Sequence, residues 1–397
     1  EVSAFLILSN VQPAQSGFYD AVISNQFGVR VSSNAVLQVL SSSVVAWGNK
    51  DSGITYVPPR LTNVLAIAAG DSHALALRSD GTVVAWGRNM SSNYGQTNVP
   101  PGLSNVVAIA AGSTHSLALK GDGTVTAWGG ESGWLTTPPP DLTNVVAVAA
   151  SYNRSLALRA DGTVATWGAE PGQTNVPSGL SNVVAIAAGW WINAALKSDG
   201  TVVLWSGSGP NPSVTSNTLS NIVAIAGAYS QILALKRDGT LAVWGSTYYY
   251  PLQVPEGLSN VVAIAAGGSY WGNHALALQS DGTLVAWGRN DYRQTNVPAT
   301  LTKVAAIAAG AGLSMALKGD GSPAMSRGIR VNYERASTGF TVSLPTQNNR
   351  VYALDYTLSL SDSYWVPLPL AAGLGRMQIL MDTTATNSAR FYRVRQW

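Results

Sequence analysis

"NVVAIAAGSTHSLALKGDGTVTAWG", residues 105–129, decides how this chain folds. An asparagine opens a run of Val, Ala and Ile that ends in Ala-Ala-Gly. After a brief loop comes a second apolar run, HSLAL, and Asp-Gly separates it from a third, TVTAW. Each run has the length of a strand. VVAIAA could also open a buried helix, but the Asn, Pro and Gly punctuation around it leaves too few residues for one. Asp-Gly between two such runs favours a tight type I′ hairpin turn with positive φ. The stretch therefore reads as three antiparallel strands in a meander.

The same pattern recurs along the chain. The tryptophan of the third run returns at Trp47, Trp86, Trp128, Trp167, Trp205, Trp244 and Trp287, and the turn aspartate at Asp80, Asp122, Asp161, Asp199, Asp238, Asp281 and Asp320. The first run begins at Asn63, Asn105, Asn144, Asn182, Asn221, Asn260 and Lys303. Units of roughly 40 residues with several strands each are the mark of β-propeller blades. The seventh unit reaches GDGS at residues 319–322 and then gives Pro323, Ala324 and Met325 where a tryptophan strand is due. A lone VVAWG, residues 44–48, precedes the first complete unit. Combining the two ends would close the ring and remove two exposed edges. The expected fold is all-β: a seven-bladed β-propeller over residues 44–322, closed by an N-terminal strand and flanked by sandwich-like segments.

The composite "AAG..HSLAL..DGTV.AWG.N..GQ" resembles the repeats of the regulator of chromosome condensation family in its bacterial form. "GRNMSSNYGQTNVP" from Gly87 and "GRNDYRQTNVP" from Gly288 are the linking segments most similar to it. The resemblance covers roughly residues 44 to 322 and implies a seven-bladed propeller. It implies little about function, because family members include nucleotide exchange factors, photoreceptors and protein inhibitors of β-lactamases.

Residues 1–40 look like the last strands of an immunoglobulin-like domain, with Tyr19 matching the corner tyrosine and Ala21 standing where a cysteine is usual. Half a sandwich cannot cover Phe5, Ile7, Tyr19, Val22 and Leu37, so the segment is expected to dock on a neighbour or to be a remnant of something longer. Residues 323–397 alternate apolar and polar positions in GIRVNY, GFTVSL, VYALDYTL, RMQILM and ARFYRV. They read as a small β-sandwich, and the closing ARFYRVRQW resembles C-terminal modules of secreted bacterial proteins.

Composition narrows the function classes. Charged residues are 11% of the 397, well under the roughly 25% of ordinary domains. The 23 Lys and Arg against 20 Asp and Glu leave +3 with no basic run, so nucleic acid is not an expected partner. There is no cysteine and no apolar stretch long enough to span a membrane as a helix. The chain reads as a soluble, processed or trimmed piece of a secreted or surface protein of a bacterium.

No catalytic motif, cofactor loop or metal site is expected. His73, His115 and His274 occupy one equivalent position in different units, where other units have Arg154, Ile192, Gln231 and Leu313. Spread around a ring, they cannot converge on one metal, and the family carries histidine there as a structural residue. The turn aspartates are likewise isolated from one another, whereas calcium needs several converging oxygens. Carboxylate pairs that meet only in space remain open to a glycosidase reading.

Aromatic residues tell more. The loops after AAG hold Asp71-Ser72, Ser113-Thr114, Tyr152-Asn153, Trp190-Trp191, Tyr229-Ser230, a longer loop with Tyr270-Trp271, and Ala311-Gly312. In a meander these loops share a face with those after Trp-Gly, which carry Tyr56, Tyr94, Trp134, Tyr248, Tyr249, Tyr250 and Tyr292. Aromatics gathered in variable loops on a rigid ring compose a recognition surface. The leading expectation is a non-enzymatic extracellular scaffold that binds a protein through this face, with Trp190, Trp191, Tyr229, Tyr270 and Trp271 at its centre. Carbohydrate binding is the alternative, since Trp and Tyr also stack on sugars. A third is a surface fibre joined through residues 1–40, and a nucleotide exchange role has least behind it.

Overall fold

The structure is a computed structural model that describes residues 43–51, 53–87, 94–168, 175–206, 220–245 and 252–318, together with the backbone of one strand at 213–217 and of strands in the two flanks. Among these residues the repeats form seven antiparallel sheets, one per unit. The first shows the plan: Val64–Ala69 pairs with His73–Arg78, which pairs with Val83–Gly87. The register Ala69↔Ala74 and His73↔Gly87 brings the loop after the first strand and the loop after Trp-Gly to the same end. In the seventh sheet Val304–Ala309 pairs with Leu313–Lys318, and Leu313–Lys318 takes Ser43–Gly48 as its other neighbour, with Leu313↔Gly48 in register.

Every middle strand is covered on both faces. Leu75, Leu117, Leu156, Ala194, Leu233, Leu276 and Met315, at one equivalent position, are all 0% exposed. The apolar cores lie between sheets. Leu75 and Leu77 pack with Val106, Ala118 and Trp128 of the next unit, and Leu313 and Met315 of the seventh sheet pack with Ala74 and Trp86 of the first. The innermost strands also neighbour one another in order, and Val304–Ala309 lies against Val64–Ala69. Glycine makes this approach feasible at Gly310, where an added Cβ would sit within contact distance of the Gly70 carbonyl.

The hairpin turns differ from the type I′ expectation. Positive φ occurs at Gly81 (78°), Gly123 (80°) and their equivalents and not at the preceding aspartates. Arg78 N–H donates to the Thr82 carbonyl and Gly81 N–H to the Arg78 carbonyl, a type I turn followed by a left-handed glycine. The aspartate explains the choice, because Asp80 Oδ1 accepts from Thr82 N–H at 2.9 Å and from the Thr82 hydroxyl at 2.6 Å. Those bonds hold the carboxyl below its ordinary range.

Two elements were not expected. Ser213–Asn217 adds a fourth strand to the fourth sheet by pairing with Val202–Ser206, and Gly133–Thr136 forms one short helical turn. In the flanks Gly17–Tyr19 pairs with Ala35–Leu37 and Val22–Asn25 with Gly28–Val31. Beyond the repeats, Asn332–Ala336, Gly339–Pro345 and Met377–Asp382 form one sheet, and Val351–Thr357 with Val366–Pro367, Ala371–Ala372 and Phe391–Gln396 another. The side-chain expectations at Phe5, Ile7, Tyr19, Ala21, Val22 and Leu37 lie outside the described residues.

Candidate binding face

The loop end of the sheets is fixed from below by polar links between units. His73 Nε2 meets Ser116 Oγ at 2.9 Å, His115 Nε2 meets Ser155 Oγ at 2.9 Å, and His274 Nε2 meets Ser314 Oγ at 3.0 Å. All three rings are 0% exposed. Burial pushes their pKa values down, to about 3 for His73 and about 4 for His115 and His274, so they stand neutral at physiological pH. Among the described residues no group of His, Asp or Glu could hold a metal. Each histidine thus latches its unit to the next. Four of the repeat tryptophans also hold loops at this end: Trp47, Trp86, Trp128 and Trp167 donate from Nε1 to the carbonyls of Gln294, Ile54, Gln96 and Leu135 at 2.9, 2.9, 3.0 and 3.2 Å.

Arg154 takes the histidine position in the third unit and is 2% exposed. Its guanidinium donates to the Trp190 carbonyl of the fourth unit, and burial lowers its pKa to about 10. In the sixth unit Asn273 Oδ1 accepts from Tyr229 N–H at 3.0 Å, while Asn273 Nδ2 donates to Gln231 Oε1 at 3.0 Å.

Above these links the loops are joined edge to edge. The Ser113 hydroxyl bonds the Asp71 carboxylate, Ser113 N–H donates to the Tyr152 carbonyl at 3.0 Å, and Trp191 N–H donates to the Tyr229 carbonyl at 3.0 Å. A continuous arc of rings follows this belt through the third to sixth units. Tyr152 and Trp190 stack with centroids 3.5 Å apart, Trp190 and Tyr229 lie 4.8 Å apart, Tyr229 and Tyr270 meet edge-on at 6.3 Å, and Tyr270 and Trp271 at 5.3 Å. Four units thus present one aromatic surface.

The members contribute differently. Tyr229 is 3% exposed and serves as the floor, whereas Trp191 and Tyr270 are each 48% exposed and Trp271 66%. The "longer loop" of the sixth unit is an extended hairpin: Val261–Ser269 pairs with Gly272–Gln279 up to Ser269↔Gly272, leaving Tyr270 and Trp271 as its two-residue tip. Trp134 stands exposed on the short helical turn, and Tyr56 is also exposed. Tyr292 lies under Arg289, whose guanidinium carbon is 5.1 Å from the ring centroid and whose Nε holds Asp291 at 2.7 Å. The structure therefore joins Tyr152, Trp190, Tyr229, Tyr270 and Trp271 by ring contacts and leaves Trp134, Tyr56 and Tyr292 outside that arc. Tyr248, Tyr249 and Tyr250 lie outside the described residues.

At the opposite end the arc becomes acidic. Burial pushes the half-buried Asp71 carboxyl up to about 6, against the Ser113 bond that lowers it. The Tyr152 phenol is pushed up first by burial and then by the charges of Glu131 and Asp71. Asp71, Glu131, Arg154 and Asn273 are the parts of this face that residue type did not single out. The latches left a readable trace: histidine in one unit goes with serine, one position further on, in the following unit.

Residues 64–96, 106–132 and 261–294 match the regulator of chromosome condensation (RCC1) repeat. Among solved structures, yeast RCC1 (Prp20) in its crystal with Kap60 is similar with a TM-score of 0.58 and 19% identity over 71% of this chain and 89% of that one. Prp20p of Saccharomyces cerevisiae, whose crystal structure was described together with its binding properties to Gsp1p and histones, gives 0.57 and 19% over 71% and 92%. Human WBSCR16 gives 0.55 and 18% over 71% and 99%. No curated protein sequence matches the chain significantly. Three stretches of the chain thus match the RCC1 repeat, and the chain has the all-β fold of RCC1-like propellers.

Proposed function

We propose that this protein is a non-enzymatic, extracellular or cell-surface scaffold that binds a partner protein through the aromatic arc. In this reading residues 44–322 form a closed seven-bladed propeller, with Ser43–Gly48 completing the last blade, and residues 1–40 and 323–397 are separate flanking modules. The observation that carries it is the unbroken ring contact from Tyr152 to Trp271 across four units, capped by half-exposed Trp191, Tyr270 and Trp271. Such rings bury a large area with few rotatable bonds, which is how hot spots of protein interfaces are built. The yeast relative of this fold was crystallised on a protein, Kap60, and protein partners suit a rigid ring of this kind. The test is a protein-interaction screen with the full chain, followed by calorimetry of Trp191→Ala and Trp271→Ala. A partner whose affinity falls by roughly 2 kcal/mol or more in either variant supports the proposal. Glycan binding that depends on the same tryptophans, with no protein partner, would replace it with a lectin.

A further inference from the structure

We propose that the apolar rim of the ring at its Asp-Gly end is the seat of the chain's own C-terminal module, which docks there through the strand Ala371–Ala372. The seat lies at the other end of the sheets from the aromatic arc and does not depend on how that arc is used.

The rim comes from an irregularity repeated in every unit. Val64 pairs with Arg78 and Ala66 with Leu77, so the ladder between the first two strands passes over Leu65. The same bulge recurs in the other six units, and the residue passed over is apolar each time, Val107 in the second unit and Val223 in the fifth among them. A bulge re-aims its extra residue out of the regular alternation of the strand. Because the innermost strands neighbour one another in order, seven such side chains follow one another round the ring.

Equivalent positions of a bare ring should be equally exposed. They are not: Leu65 and Val107 are 50% and 51% exposed, whereas Val184, Val223 and Val262 are 5%, 2% and 3%. The cover is thus centred on the fifth unit. That is where the C-terminal module arrives, with Ala371–Ala372 lying against Ile222–Gly227, the innermost strand that carries Val223. The sequence suits the contact, since residues 365–375 around this strand include no charged residue. Among the described residues Ala371–Ala372 pairs with Val351–Thr357 alone, so it is an edge strand with one side to be covered. Docking on the rim covers that edge and takes apolar side chains out of water, while Leu65 and Val107 remain as the open part of the rim.

The chain has no cysteine, so a single introduced thiol reports on one position. The experiment follows maleimide labelling of Leu65→Cys, Val223→Cys and Met315→Cys in the full chain, each with and without the pair Ala371→Asp and Ala372→Asp. Successive strand residues point to opposite faces, so the two charges serve both. With the strand unchanged, Leu65→Cys is expected to label at least about tenfold faster than Val223→Cys, because access limits a thiol of ordinary acidity. With the charges in place, Val223→Cys should approach the rate of Leu65→Cys. Met315→Cys, at a position 0% exposed within the seventh sheet, should stay protected throughout. Fast labelling of Val223→Cys beside the unchanged strand, or protection that survives the charges, would overturn the proposal. So would faster labelling of Met315→Cys, which would mean that the charges loosen the ring itself and not the module's hold on it.

Discussion

The rings of Tyr152 and Trp190 lie 3.5 Å apart and within 13° of parallel, although the two residues belong to different sheets and sit 38 positions apart in sequence. Trp191, the next residue, makes a backbone bond to Tyr229 and leaves its indole half exposed. Adjacent tryptophans therefore divide the work, one binding the loops together and the other facing outward.

That division predicts opposite mutational signatures. Trp190→Ala removes a ring packed between Tyr152 and Tyr229 and should cost about 2 kcal/mol of stability with loss of near-UV ellipticity. Trp191→Ala should change stability by no more than about 0.5 kcal/mol, as exposed positions do. Urea denaturation of both variants decides the matter. Equal losses would mean that both indoles serve the fold.

The buried histidines predict acid sensitivity with a definite sign. In the folded protein the rings stay neutral down to about pH 4 for His115 and His274 and about pH 3 for His73, whereas unfolded histidine takes up a proton near 6.5. Unfolding between those values binds protons, so stability falls as pH drops, by up to about 1.4 kcal/mol per pH unit for each ring. Asp71 works the other way: its folded pKa of about 6 lies above the ordinary carboxyl value of 3.8, so between those values acid favours the folded state. Three histidines outweigh one carboxyl. Denaturation midpoints should fall from pH 7 to pH 5, and His274→Gln should flatten the fall. A midpoint that rises on acidification would show that the rings are not held neutral.

The close passage of neighbouring units predicts intolerance at one glycine. A Cβ on Gly310 would meet the Gly70 backbone carbonyl, whereas one on Gly133 would meet nothing within 4 Å. Backbone cannot swing aside as a side-chain tip can, so Gly310→Ala should destabilise by about 1–3 kcal/mol. Gly133→Ala, in the short helical turn, should be neutral or slightly stabilising. Thermal melts of the pair separate a steric effect from a general preference for alanine.

Much of this was legible because the repeat carries its own alignment. One copy of AAG, HSLAL, DGT and AWG marked a strand, a strand, a turn and a strand, and the other copies repeated the assignment. What sequence could not supply was distance between units. Equivalent loops hold Tyr152, Trp190, Tyr229 and Tyr270, but whether their rings touch depends on how closely the sheets pass. The Asp-Gly reading failed for a local reason, since the following threonine offers the aspartate two bonds that favour a type I turn. Arg154 was legible only as a departure from histidine. Its role appears once Trp190 is known to pass above it.

The seventh sheet carries the last prediction. Ser43–Gly48 pairs along Leu313–Lys318, from Ser43↔Lys318 to Gly48↔Leu313, and Trp47 donates to the Gln294 carbonyl at 2.9 Å. Removing residues 1–48 would strip this strand, bare one edge of Leu313–Lys318 and expose Met315 and Leu317, which are 0% and 3% exposed in the intact chain. An unpaired edge beside uncovered apolar side chains invites association with other chains. Loss of the Trp47 indole also opens the space beside Leu252 and Trp287, with which it shares a core. The truncated chain should melt well below the parent and elute as aggregate in size-exclusion chromatography. Ala46→Pro, which pairs opposite Met315, should reproduce part of the loss by blocking the ladder without deleting residues 1–42. A truncation that melts like the parent, together with a silent Ala46→Pro, would show that Ser43–Gly48 is an accessory strand and that the seventh unit stands without it.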